Sequence, residues 1–168
     1  MSSPPDFTLP ELRQFLQKGN LFLRYKGYTG CDDFFKKGDG SELAASLHDG
    51  KVGEVLQAAT PNQQNLKQQF EFELVDGILT GKIFVRPDGG KKVAISVNED
   101  GTLCACECDK GTLFSVGWNG KGHVISTAKG GKELYWTLVN ESDGAQIQVM
   151  EWKGNHQQAW GFVSNHGN

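Results

Sequence analysis

Short runs in which apolar and polar residues alternate dominate the chain from residue 20 onwards. Examples are "QQFEFEL", "GKIFVR", "TLFSVGW" and "ELYWTLV", and Gly, Asp and Asn separate such runs. Alternation with a period of two is typical of half-buried strands, and those three residue types mark turns. The 22 glycines agree with this pattern, because tight turns need residues that adopt a positive φ. The sequence therefore predicts an all-β sandwich or barrel.

One short helix is predicted ahead of the strands, in "TLPELRQFLQKGN". Thr8 and Glu11 have the spacing of a capping box, and Pro10 falls in the first turn, where its missing N–H costs nothing. The apolar face of this helix would consist of Leu12, Phe15 and Leu16. Gly19 and Asn20 are expected to end it.

A pattern of strand, Asp-Gly turn and strand occurs three times. The copies are "SELAASLHDGKV", "KKVAISVNEDGTL" and "KELYWTLVNESDGAQI". Their turns are Asp49-Gly50, Asp100-Gly101 and Asp143-Gly144. Asp-Gly favours a type I′ hairpin turn, in which both central residues have positive φ. We therefore predict three hairpins with type I′ turns.

Each copy closes on an aromatic strand, in "KQQFEFEL", "GTLFSVGW" and "HQQAWGFV". Phe70, Phe114 and Trp160 stand 44 and 46 residues apart, and we predict all three in the core. Gln158 is expected to bond nearby backbone groups. One such unit cannot bury its own apolar face, whereas three around an axis can close a barrel without open edges. The predicted organisation is an arm with the helix over 1–19 and one domain over 20–168, with repeats at about 20–76, 77–120 and 121–164.

A threefold repeat of four-stranded units resembles the β-trefoil fold, in which six strands form a barrel and three hairpins cap it. The third copy, "IQVMEWKGNHQQAWGF", is similar to the Gln-x-Trp end of ricin-B-type lectin repeats. The second copy, with "KKVAISVNEDGTLCAC" and "TLFSVGWNGKGHVIS", is similar to repeats of the fascin and hisactophilin branch. The expected fold is thus an all-β trefoil with one short N-terminal helix.

The ricin-like resemblance implies a carbohydrate-binding function. Sugar sites of that kind use an Asp before the turn, an aromatic platform for the pyranose face, and an Asn or Gln. This chain has Ser46, Ser96 and Thr137 at the matching strand positions, so a site must be displaced from the usual one. The candidate sugar-binding residues are Asp143, Trp152, Asn155, His156 and Gln157. A weaker second set consists of Asn98, Asp100, Trp118 and Asn119.

Two other functions are compatible with a trefoil. A fungal-type trefoil protease inhibitor would use an exposed loop, and both the insertion "YTGCDDFFKKGDG" and the loop "QAATPNQQNLKQQ" are long enough. Phe34 or Phe35 in that insertion would offer a ring to a partner. A fascin-like actin-binding protein would need two actin sites, through a dimer or two faces. The expected partners are glycans or glycoproteins first and proteases second, and a homo-oligomer is compatible with both.

Composition and charge argue against several partners. The net charge is −3 and the Lys and Arg residues are scattered, so no surface is expected to follow nucleic-acid phosphates. No apolar run reaches the roughly 18 to 20 residues of a membrane span. The N-terminus lacks a basic region followed by an apolar stretch, which predicts a protein without a signal peptide and a cytoplasmic location.

Catalytic and metal-binding motifs do not stand out. The four histidines lack His-x-x-x-His spacing, and neither a Gly-x-Ser-x-Gly elbow nor a phosphate-binding Gly loop occurs. In "CACEC" a strand would spread Cys104, Cys106 and Cys108 over about 13 Å, too far apart to share one metal ion. We expect free thiols, whose redox role stays open, and neither enzyme activity, cofactor nor metal.

Overall fold

The computed structural model describes residues 8–27, 34–120, 122–153 and 156–165, with the backbone alone at His156. Within these residues, twelve strands fall into three groups of four, which we call the first (β1–β4), second (β5–β8) and third (β9–β12) repeats. The strands are β1 (Leu21–Tyr25), β2 (Ala44–Ser46), β3 (Gln57–Ala59), β4 (Phe70–Leu74), β5 (Thr80–Val85), β6 (Val93–Val97), β7 (Leu103–Cys106), β8 (Phe114–Trp118), β9 (His123–Lys129), β10 (Lys132–Leu138), β11 (Ile147–Met150) and β12 (Trp160–Ser164). An α-helix, α1 (Leu9–Leu16), precedes them, and short 3-10 helices occur at Leu66–Gln68, Cys108–Lys110 and His156–Gln158.

The first and last strands of each repeat form a closed barrel. Antiparallel pairing runs from β1 to β4, β5, β8, β9 and β12, and back to β1. Leu21 closes the ring, because it pairs with both Ser164 of β12 and Phe70 of β4. Closure leaves the barrel without an unpaired edge. The predicted all-β trefoil with one N-terminal helix is confirmed.

The two inner strands of each repeat form one hairpin, and the three hairpins lie over one end of the barrel. They pair as β2 with β3, β6 with β7 and β10 with β11. Single bridges join each hairpin to the next, at Val55–Cys104, Thr102–Gln148 and Gln57–Gln146. The cap therefore repeats the threefold arrangement of the barrel.

Large aromatic side chains fill the core, as predicted. Phe70 and Trp160 are fully buried, and Phe114 is 1% exposed. The ring of Trp136 lies edge to face against Phe114, with centroids 5.3 Å apart, and against Trp160, at 6.5 Å. Trp160 Nε1 donates a hydrogen bond to the carbonyl of Trp136 at 3.1 Å. Such edge-to-face pairs add stability beyond the area they bury.

Gln158, two residues before Trp160, bonds backbone groups as predicted. Its side chain is fully buried, donates to the carbonyl of Glu151 at 2.9 Å and accepts from the amide of Lys153 at 3.1 Å. Gln68 precedes Phe70 by the same interval and binds the loop at residues 60–62 in the same way, at 3.0 and 2.8 Å. Each glutamine therefore ties a loop to the start of a barrel strand.

The Asp-Gly turns differ from the prediction. Gly50, Gly101 and Gly144 have φ of 84°, 88° and 82°, but Asn20 is the sole non-glycine with positive φ among the described residues. Type I′ geometry is therefore wrong, because the preceding aspartates lack positive φ. The amide of Gly101 donates to the carbonyl of Asn98 at 3.0 Å, so the turn spans four residues and ends on a left-handed glycine. The loops are longer than a two-residue hairpin requires.

Helix α1 lies against the barrel as its sequence predicts. Thr8 and Glu11 form the capping box, and Leu16 is fully buried. Arg13 donates to the carbonyl of Val75 at 2.7 Å, which ties the helix to the chain after β4.

Phe34 and Phe35, in the described part of the first-repeat insertion, pack onto the barrel. Phe34 covers the backbone of β12, where a Cβ atom placed on Gly161 would lie 2.5 Å from its ring. Phe35 packs edge to face on Tyr25, with centroids 5.4 Å apart. Both rings are half-buried, so the expectation of an exposed ring for a partner is wrong. Phe34 therefore packs over Gly161, and Phe35 packs over Tyr25.

Candidate functional site

An open groove with a volume of about 360 Å³ lies where the second repeat meets the third. Its described lining consists of Trp118, Asn119, Val124, Tyr135 and Trp152. The fold thus brings Trp152, from the third-repeat candidates, to the same groove as Trp118 and Asn119, from the second-repeat candidates.

Neighbouring strands place the aromatic residues of this groove. Trp118 ends β8, while Tyr135 lies on β10 and pairs with Met150 of β11. Trp152 follows two residues later, and its ring lies edge to face against Tyr135, with 5.2 Å between centroids. The sequence prediction missed Tyr135. Period-two alternation could have found it, because Trp136 faces the core and its neighbour must face outwards.

Trp152 presents its indole to solvent. The residue is 49% exposed, although the backbone on both sides of it is bonded to buried Gln158. An ion pair of 2.9 Å between Lys132 and Glu151 lies next to it. A large exposed ring on a held backbone is the arrangement that a binding platform needs.

Trp118 supplies the second-repeat part of the lining and is half-buried. It pairs across the strands with His123, and the two rings meet edge to face at 5.1 Å. The ring of Phe162 also lies against the imidazole, with 4.9 Å between centroids. Burial, and to a smaller extent the charge of Lys26, lowers the pKa of His123 to about 4. The imidazole behind Trp118 is therefore neutral at neutral pH.

Two buried nitrogens behind the groove have no hydrogen-bond partner among the described residues. They are Nε1 of Trp118 and Nε2 of His123. The contact between these side chains is therefore one of ring packing, and it holds Trp118 in place.

Asn119 completes the groove on the turn between β8 and β9. Its side-chain oxygen accepts a hydrogen bond from the backbone N–H of Gly122 at 2.9 Å. The backbone N–H of Asn119 donates to the carbonyl of Gly122 at 3.1 Å. The polar side chain is thus held at a defined position beside the rings.

The described lining of the groove is aromatic and neutral. Its described lining offers three aromatic rings, one aliphatic side chain and one carboxamide, without a carboxylate or an amine. Rings of this kind cover the apolar C–H face of a pyranose, and a carboxamide can exchange hydrogen bonds with hydroxyl groups.

Other third-repeat candidates lie outside the groove lining. Asp143 sits in the turn between β10 and β11, forms an ion pair with Lys37 and accepts from the hydroxyl of Thr60 at 3.1 Å. The Lys37 ammonium, as the main cause, lowers the pKa of Asp143. Gln157 donates to the carbonyl of Leu138 at 3.0 Å. These contacts tie the third repeat to the first-repeat insertion and to its own hairpin.

The remaining two candidates of that set are Asn155 and His156. Asn155 lies outside the described residues. His156 begins the last 3-10 helix, where its backbone alone is described. Their part in a sugar site stays a prediction.

Asn98 and Asp100 shape the turn between β6 and β7. Asp100 accepts from the amide of Thr102 at 3.0 Å and from its hydroxyl at 2.7 Å, and the hydroxyl contact is the main cause of its lowered pKa. Asn98 donates to the same hydroxyl at 2.8 Å and accepts from the thiol of Cys104 at 3.1 Å. Neither side chain lines the groove with Trp118.

Thr137 occupies the third-repeat position where ricin-like sites carry Asp. It is 1% exposed, its hydroxyl donates to the carbonyl of Tyr135 at 2.8 Å, and it accepts from Gln158 at 3.1 Å. This position therefore supports the chain beneath the groove instead of facing a ligand.

Within the described ranges, three or more His, Cys, Asp or Glu side chains do not gather at any point that could hold a metal ion. The thiols of Cys104, Cys106 and Cys108 are free and become progressively more exposed in that order. Burial raises the pKa of Cys106. Cys31 lies outside the described residues.

Solved structures place the chain among β-trefoils. ThreeFoil, a designed threefold-symmetric protein, covers 86% of this chain and 98% of its own, with a TM-score of 0.64 and 18% identity. The β-trefoil lectin of the Vibrio vulnificus hemolysin/cytolysin, solved with N-acetyl-D-lactosamine bound, covers 89% and 98%, with a TM-score of 0.59 and 12% identity. No protein-family model matches the chain, and no curated protein sequence matches it. Together with the closed barrel and its three hairpins, these likenesses define a β-trefoil protein.

In the part of the chain that the structure describes, no helix combines the length and the apolar character needed to cross a bilayer.

Proposed function

We propose that this β-trefoil is a non-catalytic lectin that binds carbohydrate in the groove of Trp118, Tyr135 and Trp152. The observation that supports it best is the half-exposed indole of Trp152, set against Tyr135 on a backbone that Gln158 holds. An exposed Trp is costly in water, and a sugar face that covers it removes apolar surface from solvent.

The neutral lining favours neutral glycans and glycoproteins as ligands. With three rings and no carboxylate in its described lining, the groove would draw its affinity mainly from ring contacts. Sugars with long apolar C–H faces, such as β-linked N-acetylglucosamine units, suit three aromatic rings best. The bound N-acetyl-D-lactosamine of the Vibrio lectin makes that disaccharide a sensible second probe.

A glycan array with the wild type, Trp152→Ala and Val52→Ala tests the proposal. Val52 is 57% exposed and does not line the groove, so its truncation controls for loss of an exposed apolar side chain. We expect binding by the wild type and the control and at least tenfold weaker binding by Trp152→Ala, about 1.4 kcal/mol. Equal glycan binding by all three proteins would show that the sugar site does not include Trp152. No glycan binding by any of them would count against a lectin.

A rigid exposed loop supports protease inhibition as a second candidate. Residues 62–64 are exposed, yet Gln68 binds the amide of Asn62 at 2.8 Å, and Gln69 donates to the carbonyl of Gln63 at 3.1 Å. A loop ordered before binding loses little conformational entropy when it enters a protease cleft.

Enzyme titrations distinguish the second candidate from the first. Papain and pepsin would be assayed with the wild type and with Gln63→Ala, whose side chain is exposed. Stoichiometric inhibition that the substitution weakens would support the inhibitor. Undiminished protease activity at excess wild type would exclude these two enzymes as targets.

A further inference from the structure

Strand register identifies the positions in each repeat that correspond to Tyr135 and Trp152. The corresponding cross-strand pairs of the three hairpins are Ala44–Ala59, Ala94–Cys106 and Tyr135–Met150. Two residues beyond the second member of each pair stand Pro61, Cys108 and Trp152. The aromatic pair of the third repeat thus corresponds to Ala94 with Cys108 in the second repeat and to Ala44 with Pro61 in the first.

Trp118 also has a corresponding residue in each of the other two repeats. Trp118 is the fifth residue of the barrel strand that begins at Phe114. The strands that begin at Phe70 and Trp160 have Leu74 and Ser164 at their fifth positions. Each junction between repeats therefore joins one such residue to the hairpin of the next repeat.

The junction of the first and second repeats cannot form the same groove. Leu74 replaces the indole of Trp118 there, and Cys108 replaces that of Trp152. Ala94 is fully buried, and a Cβ atom placed on Gly111 would lie 2.8 Å from its methyl group. The chain at Gly111 thus covers the position where Tyr135 contributes its ring in the third repeat.

The junction of the third and first repeats lacks rings at these positions too. Its three corresponding residues are Ser164, Ala44 and Pro61, of which Ala44 is fully buried. Among the described positions that correspond to Trp118, Tyr135 and Trp152, aromatic side chains meet at one junction alone.

We infer that the chain carries a single saccharide site, shared between the second and third repeats, and binds glycans monovalently. This inference rests on the proposed function. It adds that one chain binds one glycan and that two repeats together form the site. A monovalent chain occupies one glycan at a time and does not cross-link glycoproteins by itself. Avidity would then require assembly of several chains.

Isothermal titration calorimetry with chitotriose and with N-acetyllactosamine tests the inference. The variants are Trp152→Ala in the third repeat and Trp118→Ala in the second, with Cys108→Ala and Pro61→Ala as controls at the positions corresponding to Trp152. We expect one sugar per chain, at least tenfold weaker binding in each Trp variant, and unchanged affinity and stoichiometry in both controls.

The outcomes separate this inference from the function on which it rests. Two or three sugars per chain, or full affinity in Trp118→Ala, would overturn the single composite site while keeping the lectin. Absence of heat with both sugars would reject the lectin and the site together. Trp118 also packs on His123, so Trp118→Phe is measured beside the alanine variant, with a thermal unfolding curve for each. The phenylalanine variant should fold as the wild type does and bind with intermediate affinity.

Discussion

The ring of Trp152 lies edge to face against the ring of Tyr135, with 5.2 Å between their centroids. The first belongs to the segment after β11 and the second to β10, so the hairpin of the third repeat carries both. This pair forms one wall of the groove, and Trp118 reaches the same groove from the barrel strand of the second repeat.

Substitution of Tyr135 separates the role of its ring from that of its hydroxyl. We expect Tyr135→Phe to bind chitotriose as the wild type does, because the ring contact with Trp152 is kept. Tyr135→Ala should bind at least tenfold more weakly, about 1.4 kcal/mol, since the platform loses its support. Calorimetric titration measures both. Equal affinity in the two variants would show that the ring takes no part.

Removal of the Gln158 side-chain amide should affect both stability and binding. Gln158→Leu removes the hydrogen bonds to the carbonyl of Glu151 and the amide of Lys153, each worth about 0.5–1.5 kcal/mol of stability. It also releases the backbone around Trp152, so sugar affinity should fall. Urea unfolding and calorimetry measure the two effects.

The matched control for Gln158 is Gln68→Leu. Gln68 is 1% exposed and binds the first-repeat loop at residues 60–62, away from the groove lining. We expect a similar loss of stability with unchanged sugar affinity. If both variants lost affinity equally, the effect would come from general destabilisation and not from the backbone at Trp152.

His123 should make stability depend on pH in a defined interval. Its pKa is lowered from 6.5 to about 4 by burial, so between these values the unfolded chain binds a proton that the folded chain does not. The free energy of unfolding should therefore fall as pH drops through this interval, by about 3 kcal/mol, and rise again on return to neutral pH. Unfolding in urea at a series of pH values measures it.

Replacement of the imidazole by an apolar ring tests that assignment. His123→Phe keeps a ring between Trp118 and Phe162 and should abolish the loss between pH 6.5 and 4. The control is His48→Phe, because the side chain of His48 is 75% exposed. A pH profile of His123→Phe that matches the wild type would assign the effect to other groups.

Asp143 offers a test of position. We expect Asp143→Asn to leave sugar affinity unchanged, because its carboxylate pairs with Lys37 and lies outside the groove lining. The same titration that measures the Tyr135 variants measures this one. A tenfold loss of affinity would extend the site to the turn between β10 and β11.

Most of the fold could be predicted from local sequence patterns, namely the repeat of aromatic residues and the capping motif of the helix. The spacing of Phe70, Phe114 and Trp160 revealed three copies, because an aromatic residue must recur wherever the barrel needs a core side chain. The capping box of Thr8 and Glu11 marked the helix start, since its hydrogen bonds join residues three apart. These features are predictable because their partners are close in sequence or repeat at a regular interval.

Tertiary structure alone decided which polar and aromatic residues meet in one groove. The sequence placed Trp118 and Trp152 in two separate candidate sets. In the structure the second repeat lies against the third, and both residues line one groove. Asn98 and Asp100 bond Thr102 within their own turn and lie outside the described groove lining, so their part in a sugar site stays a prediction. The sequence determined the barrel because core burial repeats with a period, whereas the groove depends on contacts between repeats that no local pattern records.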